Sequence, residues 1–453
     1  MGFDGSEGNG LFADLYELTM LRAFGECGMN GEAVFSLFVR HMPDDRNLLI
    51  ACGLDEVLAE IERFRFSPDD IDYLRSLGMF PERFLDGLRQ FRFTGDVFAM
   101  PEGTPFFPDE PILEVAAPIG EGQMIETLVL NQIGLQTLLA SKAQRFVGAA
   151  SGRQVADFGA RRAQGFDAAL KGARAFAIAG VSGTSLLAAG ARYGIPVTGT
   201  MAHSFVEAFS SEAEALAAMM RIYPRTVLLV DTYDSLQGVR NVVDLAQNLG
   251  SDCRLTGIRL DSGDLDALSR GARAMLDEAG LAYLKIVASG GLTEARIETL
   301  VRAGAPIDIF GVGTEMSVSA DAPFLDIVYK LTEYAGAGRM KLSSLKSTMP
   351  GRKQVYRQEI DGVAVQDVIA CANEACAGTP LLQQVMRRGA RLNSTPAGLS
   401  DIRDQAARLI GEMPAELRAL APAGRAYPVV VSDSLRSETQ ALRARLVSGM
   451  AAC

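Results

Sequence analysis

The chain has 453 residues, of which 48% are hydrophobic and 22% charged, a composition typical of a soluble globular protein with a large core. Its 44 basic and 55 acidic residues give a formal net charge of −11, which argues against general nucleic-acid binding but lets a few local arginines bind an anionic substrate. No apolar run approaches the ~20 residues of a membrane span, no signal peptide is evident, and six scattered cysteines without a Cys-x-x-Cys pair predict free thiols in the cytoplasm.

The first third predicts an N-terminal α/β domain over residues 11–152, behind a flexible, glycine-rich start at residues 1–10. The spacing of apolar residues, and the prolines and glycines that end helices and strands, predict its elements. They are helices over 11–24, 55–64, 69–77 and 81–91, strands over 33–40 and 47–51, a β-rich stretch over 96–115, and a long helix over 122–150 interrupted near Gly134.

The middle of the chain, residues 153–335, predicts an irregular, TIM-like parallel α/β barrel. Short apolar runs alternate there with helical segments, which is typical of βα units. The runs cover residues 155–158, 175–179, 196–198, 227–230, 256–260, 285–288, 307–310 and 324–329. An open, doubly wound sheet is the alternative.

The last segment, residues 336–453, predicts a small α+β extension. Its expected elements are hairpin-like strands over 339–342 and 363–370, helices over 401–420 and 432–447, and a strand over 428–431.

Polar residues directly follow seven of the middle runs, at 159–162, 182–185, 200–203, 231–234, 261–264, 289–291 and 311–315. In a barrel the carboxyl ends of all strands lie on one face, where active sites of this architecture are built. We therefore expect these distant clusters to converge.

His203 is one of only two histidines. Ser204 and Glu207 have the Ser-x-x-Glu spacing of a capping box, which predicts a helix start beside it. A strand-to-helix turn with unpaired N–H groups suits phosphate. A histidine that merely packs at a turn explains this stretch equally well.

Glycine-rich turns follow two late strands, with Gly290 and Gly291 in one and Gly313 and Thr314 in the other. Glycine lets backbone N–H groups approach a phosphate, and barrel phosphates often bind after the last strands. Steric demand at a tight turn is the alternative explanation for each motif.

Charged residues at two other strand ends are candidates for substrate binding. Arg259 suits a carboxylate or phosphate, and Asp231 and Asp261 suit Mg²⁺ on a diphosphate or ribose hydroxyls. Asp234 and Asp264 fit the same roles, and ion pairing among these groups is the alternative.

Arg161 and Arg162 add positive charge after the first barrel strand, where a solvated pair is the alternative. Tyr16 and Phe158 are aromatic residues beside polar motifs, and they either stack on a ligand or belong to the core.

With these stretches side by side, the chain resembles the nicotinate phosphoribosyltransferases nearly from end to end. The matching motifs are DLY (14–16), FGARRA (158–163), GTMAHSF (199–205), DTYD (231–234), IRLDSGD (258–264), ASGG (288–291) and FGVGT (310–314), with a late stretch from 341–343 through 350–354.

The resemblance implies a type II phosphoribosyltransferase: an irregular α/β barrel with an N-terminal α/β domain, usually a homodimer. It implies transfer of phosphoribose from phosphoribosyl pyrophosphate to nicotinate in NAD biosynthesis. ATP, with Mg²⁺, would be hydrolysed through a transient phosphohistidine, which makes the enzyme a ligase as well as a glycosyltransferase.

The resemblance also implies residue roles. His203 would be phosphorylated, Tyr16 (from the partner subunit) and Phe158 would sandwich the pyridine ring, and Thr200 and Arg259 would lie near nicotinate. Phosphate would be held by Arg161, Gly290, Gly291, Gly313 and Thr314, and ribose or Mg²⁺–diphosphate by Asp231 and Asp261.

One departure concerns Leu186, where many relatives carry Asn after Gly-Thr-Ser, so a polar contact at this position is in doubt. Nicotinamide and quinolinate phosphoribosyltransferases are the near alternatives, and a quinolinate enzyme would need neither His203 nor ATP. A non-catalytic ligand-binding relative is the alternative outside the enzymes.

Overall fold

A computed structural model describes residues 8–342, 348–392 and 398–451. Most of the predicted flexible start (residues 1–7), Ser343 of the late family-like stretch and Cys453 lie outside the described residues. The chain forms two compact units. The first contains the described parts of Met1–Leu138, Phe324–Leu417 and Pro422–Cys453, and the second contains Leu139–Pro323 and Arg418–Ala421. The predicted domain limits at residues 11, 153 and 336 stay a prediction.

The helices begin and end close to the predicted positions in the first third of the chain. In order they are α1 (Leu15–Glu26), α2 (Leu54–Glu62), α3 (Pro68–Ser76), α4 (Glu82–Arg89), α5 (Ile119–Met124), α6 (Glu126–Ala150), α7 (Phe166–Ile178), α8 (Leu187–Tyr193), α9 (His203–Glu207), α10 (Glu212–Ile222), α11 (Ser235–Leu249), α12 (Leu265–Glu278), α13 (Glu294–Arg302), α14 (Thr314–Ser317), α15 (Leu399–Gly411), α16 (Ala415–Arg418) and α17 (Asp433–Ala451). None of these helices, within the described ranges, combines the length and apolar composition that a membrane crossing requires.

The strands in chain order are β1 (Glu32–Val39), β2 (Leu49–Ile50), β3 (Asp96–Ala99), β4 (Pro105–Phe106), β5 (Leu113–Pro118), β6 (Gln154–Asp157), β7 (Gly183–Thr184), β8 (Val227–Leu229), β9 (Gly257–Leu260), β10 (Lys285–Ala288), β11 (Ile309–Val312), β12 (Ile327–Tyr334), β13 (Ala337–Gly338), β14 (Lys353–Ile360), β15 (Val363–Cys371), β16 (Thr379–Pro380), β17 (Gln383–Arg387), β18 (Ala390–Arg391) and β19 (Val429–Val431).

The first unit is built on an antiparallel sheet in the order β13-β12-β1-β5-β3-β17-β18. Every residue of β1 after its first is buried, because both faces of this central strand are covered. A second sheet, in the order β16-β14-β15-β19, belongs to the same unit. The C-terminal β segment therefore groups with the N-terminal α/β part of the chain.

The second unit carries the candidate site on a parallel sheet in the order β7-β6-β11-β10-β9-β8. The first and last strands of the unit, β6 and β11, pair with each other as they do in a barrel. A single bridge between Thr184 and Val197 extends the β7 edge. No pairing joins that edge to β8 among the described residues, so the sheet is a curled half-barrel within a mixed α/β fold, and a closed TIM-like barrel is not confirmed.

Two of the eight predicted barrel strands are wrong, and a third, at 196–198, is reduced to the isolated bridge at Val197. Residues 175–179 fall largely within α7, where alanine, the strongest helix former, dominates the apolar run. The run at 324–329 leads into β12, which pairs with β1 in the first unit's antiparallel sheet. The sequence also gave no apolar signal for β7, which is only two residues long.

Two further predictions are wrong at the level of single elements. Helix α6 passes through Gly134 without a break, and the interruption falls at Ile125 instead. A Cβ at Gly134 would lie 3.4 Å from Ile327, an ordinary van der Waals distance, so neither a kink nor packing requires glycine there. The predicted strand at 339–342 is absent, because β13 ends at Gly338.

Candidate active site

Helix α9 begins at His203 itself, so the predicted capping box is wrong. Ala202 is the N-cap residue, and no side chain caps the helix. Ser204 already lies in the first turn, where its hydroxyl cannot serve as N-cap. With only five residues, α9 also gives little support to phosphate binding by a helix N-terminus.

The imidazole of His203 contacts polar side chains from two other strand ends. Its Nδ1 lies 3.2 Å from Oγ1 of Thr232, after β8. Its Nε2 lies 3.6 Å from Oδ2 of Asp261, after β9, and the side chain is 39% exposed. The ring is therefore open to solvent and polar in its contacts, unlike a histidine that packs in a core.

Arg259 on β9 links the neighbouring strand ends through its guanidinium. Its Nε donates to Oγ of Ser289 at 2.7 Å, and its Nη1 donates to Oγ1 of Thr200 at 3.2 Å. Its Nη2 donates to Oδ1 of Asp261 at 2.5 Å. The guanidinium also lies 5.5 Å from the ring centroid of Phe158, within cation–π range.

Asp261 is held as a carboxylate between Arg259, Ser289 and His203. Burial favours its neutral form, but hydrogen bonds from the Ser289 hydroxyl and the Arg259 guanidinium outweigh burial and lower its pKa. A fixed negative charge thus stands beside the imidazole at neutral pH.

Asp231, at the end of β8, has one carboxylate oxygen bonded and one without a partner. Oδ2 accepts the backbone N–H of Asp261 at 2.8 Å and the hydroxyl of Ser262 at 2.7 Å. Oδ1 is buried and has no hydrogen-bond partner among the described residues. An unpaired buried carboxylate oxygen indicates a place for a water or a cation.

Two other predicted acids serve local structure. Asp234 caps α11 by accepting the N–H of Gln237, and Asp264 caps α12 by accepting the N–H of Ala267. For this pair helix capping is the better explanation, and the sequence predicted neither cap.

A cavity of about 260 Å³ lies beside Arg259. Its apolar wall contains Phe158, Ala160 and Leu186, and its polar wall contains Arg161, Ser185, Gly199, Thr200 and Arg259. Arg161 makes no ion pair or side-chain hydrogen bond within the described part of the chain, so its charge is available to a ligand. The cavity suits a small, flat, anionic molecule.

Asp157 does not line this cavity but bonds to residues beside its lining, and it was not among the predicted site residues. The side chain is 2% exposed. Oδ1 accepts the N–H of Gly159 at 2.8 Å and Oδ2 accepts the hydroxyl of Thr184 at 2.7 Å. Its position directly before the predicted Phe158 motif was the available signal. Thr232 and Ser289 were likewise missed as individual site residues, although both lie within predicted clusters.

The two glycine turns lie at the ends of β10 and β11. Gly290 has φ +85°, and a Cβ there would stand 1.6 Å from the carbonyl oxygen of Asp261. Gly291 has φ +57° with space around it. Gly313 precedes Thr314, the first residue of α14. Close strand-end packing thus requires Gly290, and phosphate binding by all four residues stays a prediction.

Tyr16 lies in α1 of the first unit and is 41% exposed, whereas the other predicted site residues lie in the second unit. Its place beside a ligand stays a prediction. Across the described ranges, no group of three or more His, Cys, Asp or Glu side chains is arranged to hold a metal ion.

Comparisons with known proteins agree on one family. Residues 11–134 match the nicotinate phosphoribosyltransferase N-terminal domain, and residues 153–351 match the nicotinate phosphoribosyltransferase family. The chain is 52% identical over 433 residues to a nicotinate phosphoribosyltransferase of Mycobacterium tuberculosis, covering 96% of this chain and 94% of that protein. It is 42% identical over 355 residues to that of Bacillus subtilis, covering 77% and 72%.

Among solved structures, the crystal structure of human nicotinic acid phosphoribosyltransferase superposes with a TM-score of 0.83 and 26% identity, covering 95% of this chain and 99% of that one. A nicotinate-nucleotide pyrophosphorylase from Pyrococcus furiosus shares the fold, with a TM-score of 0.72 and 24% identity, covering 89% and 95%.

Proposed function

The chain belongs to the nicotinate phosphoribosyltransferase family, and from this premise we propose that it joins nicotinate to phosphoribosyl pyrophosphate, giving nicotinate mononucleotide and pyrophosphate. The observation that carries the proposal is the Arg259 network, which joins the amphipathic cavity to Asp261 and His203. This reaction would introduce nicotinate into NAD biosynthesis.

The cavity suits nicotinate because aromatic and aliphatic side chains line it together with positively charged ones. Phe158 and Leu186 would contact the ring, and Arg161 or Arg259 would bind the carboxylate. A neutral amide could accept a hydrogen bond but would lack the charge–charge attraction, which favours nicotinate over nicotinamide. The side chain of Leu186 cannot donate or accept a hydrogen bond, so orientation of the ring would depend on Arg259 and Thr200.

We propose that His203 is phosphorylated by ATP. The Asp261 carboxylate faces Nε2 and can only accept a hydrogen bond. This favours the imidazole tautomer that carries its hydrogen on Nε2. Nδ1 then holds the lone pair. It would attack the γ-phosphorus, form the N–P bond and break the bond to the β–γ bridging oxygen, and ADP would leave. Water would later hydrolyse the N–P bond to give phosphate.

Glycosyl transfer breaks the bond between ribose C1 and pyrophosphate while the ring nitrogen forms the new bond. It needs alignment of the ring and neutralisation of the leaving group. Arg161, Gly290, Gly291, Gly313 and Thr314 are the proposed phosphate contacts. Asp231 and Asp261 are proposed to bind ribose or the metal–diphosphate.

The unpartnered Oδ1 of Asp231 fits a hard cation such as Mg²⁺. When bound with the diphosphate, Mg²⁺ would supply charge neutralisation there. Asp231 would hold the ion, and Asp261 would lie beside it. A site with few protein carboxylates agrees with the usual way that Mg²⁺ is shared with substrate phosphates.

We further propose a cytoplasmic homodimer in which Tyr16 of one subunit stacks on nicotinate in the other. In the second unit Phe166 is 93% exposed and Leu187 73% exposed, and in the first unit Leu15 and Tyr16 are also exposed. In such a dimer these exposed apolar side chains would be available for burial against the partner. The described cysteines are free, in keeping with a reducing compartment.

Release of pyrophosphate from phosphoribosyl pyrophosphate, measured in parallel with nicotinate, nicotinamide and quinolinate, tests the activity. We expect release with nicotinate, stimulated by ATP and Mg²⁺. Release with nicotinamide or quinolinate but not nicotinate would overturn the substrate assignment. No release with any of the three would favour a non-catalytic relative.

Incubation with γ-labelled ATP tests the phosphohistidine. We expect acid-labile, alkali-stable label on the wild type and none on His203→Ala. The other histidine, His41, pairs with Asp326 in the first unit and provides the control variant His41→Ala, which should keep the label. An unlabelled wild type would overturn this step while leaving glycosyl transfer open to direct assay.

A further inference from the structure

Asp157 at the end of β6 is bonded to two separate loops. Besides its carboxylate bonds to Gly159 and Thr184, its backbone carbonyl accepts the N–H of Ser185 at 2.8 Å. Thr184 Oγ1 in turn accepts the N–H of Leu186 at 3.1 Å. A single buried side chain therefore bonds the loop after β6 and the last residue of β7, whose hydroxyl in turn holds Leu186 in the loop that follows.

Both loops contribute walls to the cavity beside Arg259. The loop after β6 supplies Phe158 and Arg161, and the loop after β7 supplies Ser185 and Leu186. The separation between the aromatic ring and the leucine side chain thus depends on bonds that converge on Asp157.

We propose that Asp157 is a positioning residue that sets the width of the pyridine cavity by tying its two walls together through Gly159 and Thr184. It does not line the cavity, so it acts through Phe158, Arg161 and Leu186. The inference rests on the proposed function, since it assigns this cavity to nicotinate.

The burial of the Asp157 carboxylate supports its assignment as a positioning residue. Enclosure raises the pKa of Asp157, and the bonds from Gly159 and Thr184 act against that rise. A buried carboxylate is costly unless its hydrogen bonds are complete, and here each oxygen has one donor. An apolar residue would fill this place at lower cost if only packing were required.

The effect should be confined to the pyridine side of the site. His203 and its partners Thr232 and Asp261 follow other strands and make no bond to Asp157. Loosening the cavity walls should therefore weaken nicotinate binding and leave phosphorylation of His203 intact. A general loss of structure would affect both.

The experiment compares Asp157→Asn and Thr184→Val with wild type for the KM of nicotinate, kcat, and labelling of His203 by γ-labelled ATP. We expect the KM for nicotinate to rise about 10- to 100-fold in both variants, with labelling unchanged. Thr184→Ser keeps the hydroxyl and should restore a KM near that of wild type.

Asp308→Asn is the matched control. Asp308 also accepts a backbone N–H, from Ile286 at 2.8 Å, but at the amino end of β10. The KM of the Asp308→Asn variant for nicotinate should stay within about twofold of wild type, because a change at a distant site has little effect on the cavity.

An unchanged KM for nicotinate in a folded Asp157→Asn or Thr184→Val variant would overturn the proposal, as would an equal loss of labelling and nicotinate binding. If Asp157→Asn does not fold, the contrast between Thr184→Val and Thr184→Ser decides. Failure of the proposed function is distinct, because wild type itself would then release no pyrophosphate with nicotinate.

Discussion

Arg259 and Asp261 lie two residues apart at the end of one strand, and Nη2 of the arginine donates to Oδ1 of the aspartate at 2.5 Å. The other guanidinium nitrogens reach Ser289 and Thr200 on neighbouring strand ends. One planar side chain thereby fixes the carboxylate beside His203 and the hydroxyl at the cavity wall. Phosphorylation of His203 and binding of nicotinate in the cavity would therefore both depend on the position of Arg259.

Arg259→Lys should lower kcat/KM for nicotinate by about 30- to 1,000-fold, or about 2–4 kcal/mol, because lysine has no planar fork to make three bonds in different directions. Steady-state kinetics measure this loss. Arg273→Lys is the control, since Arg273 also makes several bonds, to Asp277, Leu281 and Leu284, but on α12 and the segment before β10. An equal loss in both variants would contradict the assigned role of Arg259.

Gly290→Ala should be far more damaging than Gly291→Ala in the same turn. A Cβ at Gly290 would collide with the Asp261 carbonyl, whereas Gly291 meets only the end of Arg296 at 3.7 Å. We expect Gly290→Ala to lower the free energy of unfolding by at least about 3 kcal/mol and Gly291→Ala by about 1 kcal/mol. Denaturant unfolding distinguishes them, and equal losses would show that the turn relaxes freely.

Asp231→Asn should raise the Mg²⁺ concentration needed for half-maximal activity by about 10- to 100-fold. The amide oxygen can still accept from Asp261 and Ser262, but an NH₂ group replaces the unpartnered oxygen. Titration of activity with Mg²⁺ measures the change. Asp234→Asn alters a helix cap and should leave the Mg²⁺ requirement as it is. An unshifted requirement in Asp231→Asn would remove this residue from the metal site.

Glu17, next to Tyr16, is fully buried, and its Oε1 accepts the N–H and hydroxyl of Thr127 in the first turn of α6, each at 2.8 Å. Burial raises its pKa from 4.5 to about 7, although the bonds from Thr127 oppose the rise. The folded state therefore binds more protons than the unfolded state between these values, and the contribution of Glu17 to stability falls as pH rises through this window.

Glu17→Gln keeps an acceptor for Thr127 and removes the titration. Relative to wild type, its free energy of unfolding should improve by about 1–3 kcal/mol between about pH 5 and about pH 8. Denaturant unfolding at the two pH values measures this difference. Glu298→Gln, on the surface of α13, should follow the wild-type pH dependence. Parallel curves for Glu17→Gln and wild type would contradict the effect of burial.

Much of the fold could be predicted because apolar periodicity and turn residues are local signals. The helices at 55–64 and 69–77 agree with α2 and α3 to within two residues at all four ends, and Ser67 forms the capping box that starts α3. Ser204 has a similar spacing to its glutamate, yet it caps nothing. The same motif can lie inside a first turn, and only the path of the preceding chain decides which occurs.

The sequence predicted which strand ends form the candidate site, but it did not predict which side chains hydrogen-bond to one another there. Residue type and position after a strand were sufficient to single out His203, Arg259 and Asp261. They could not separate these from Asp234 and Asp264, which cap helices, because an aspartate after a strand suits either role.

The sequence by itself determined the family, the alternation of strands and helices, and the residues that bring charge to the strand ends. Motifs and apolar periodicity involve only residues close together in the chain. Tertiary structure alone decided which strands share a sheet: β12 joins β1, and the half-barrel stays open beside β8. It also decided that Asp157 joins two loops and that Gly290 packs on Asp261. The Asp157 and Gly290 contacts join residues about 30 positions apart, and the β1–β12 pairing joins residues about 300 positions apart. No local pattern encodes such contacts, because the packing of the whole unit decides which strands are neighbours.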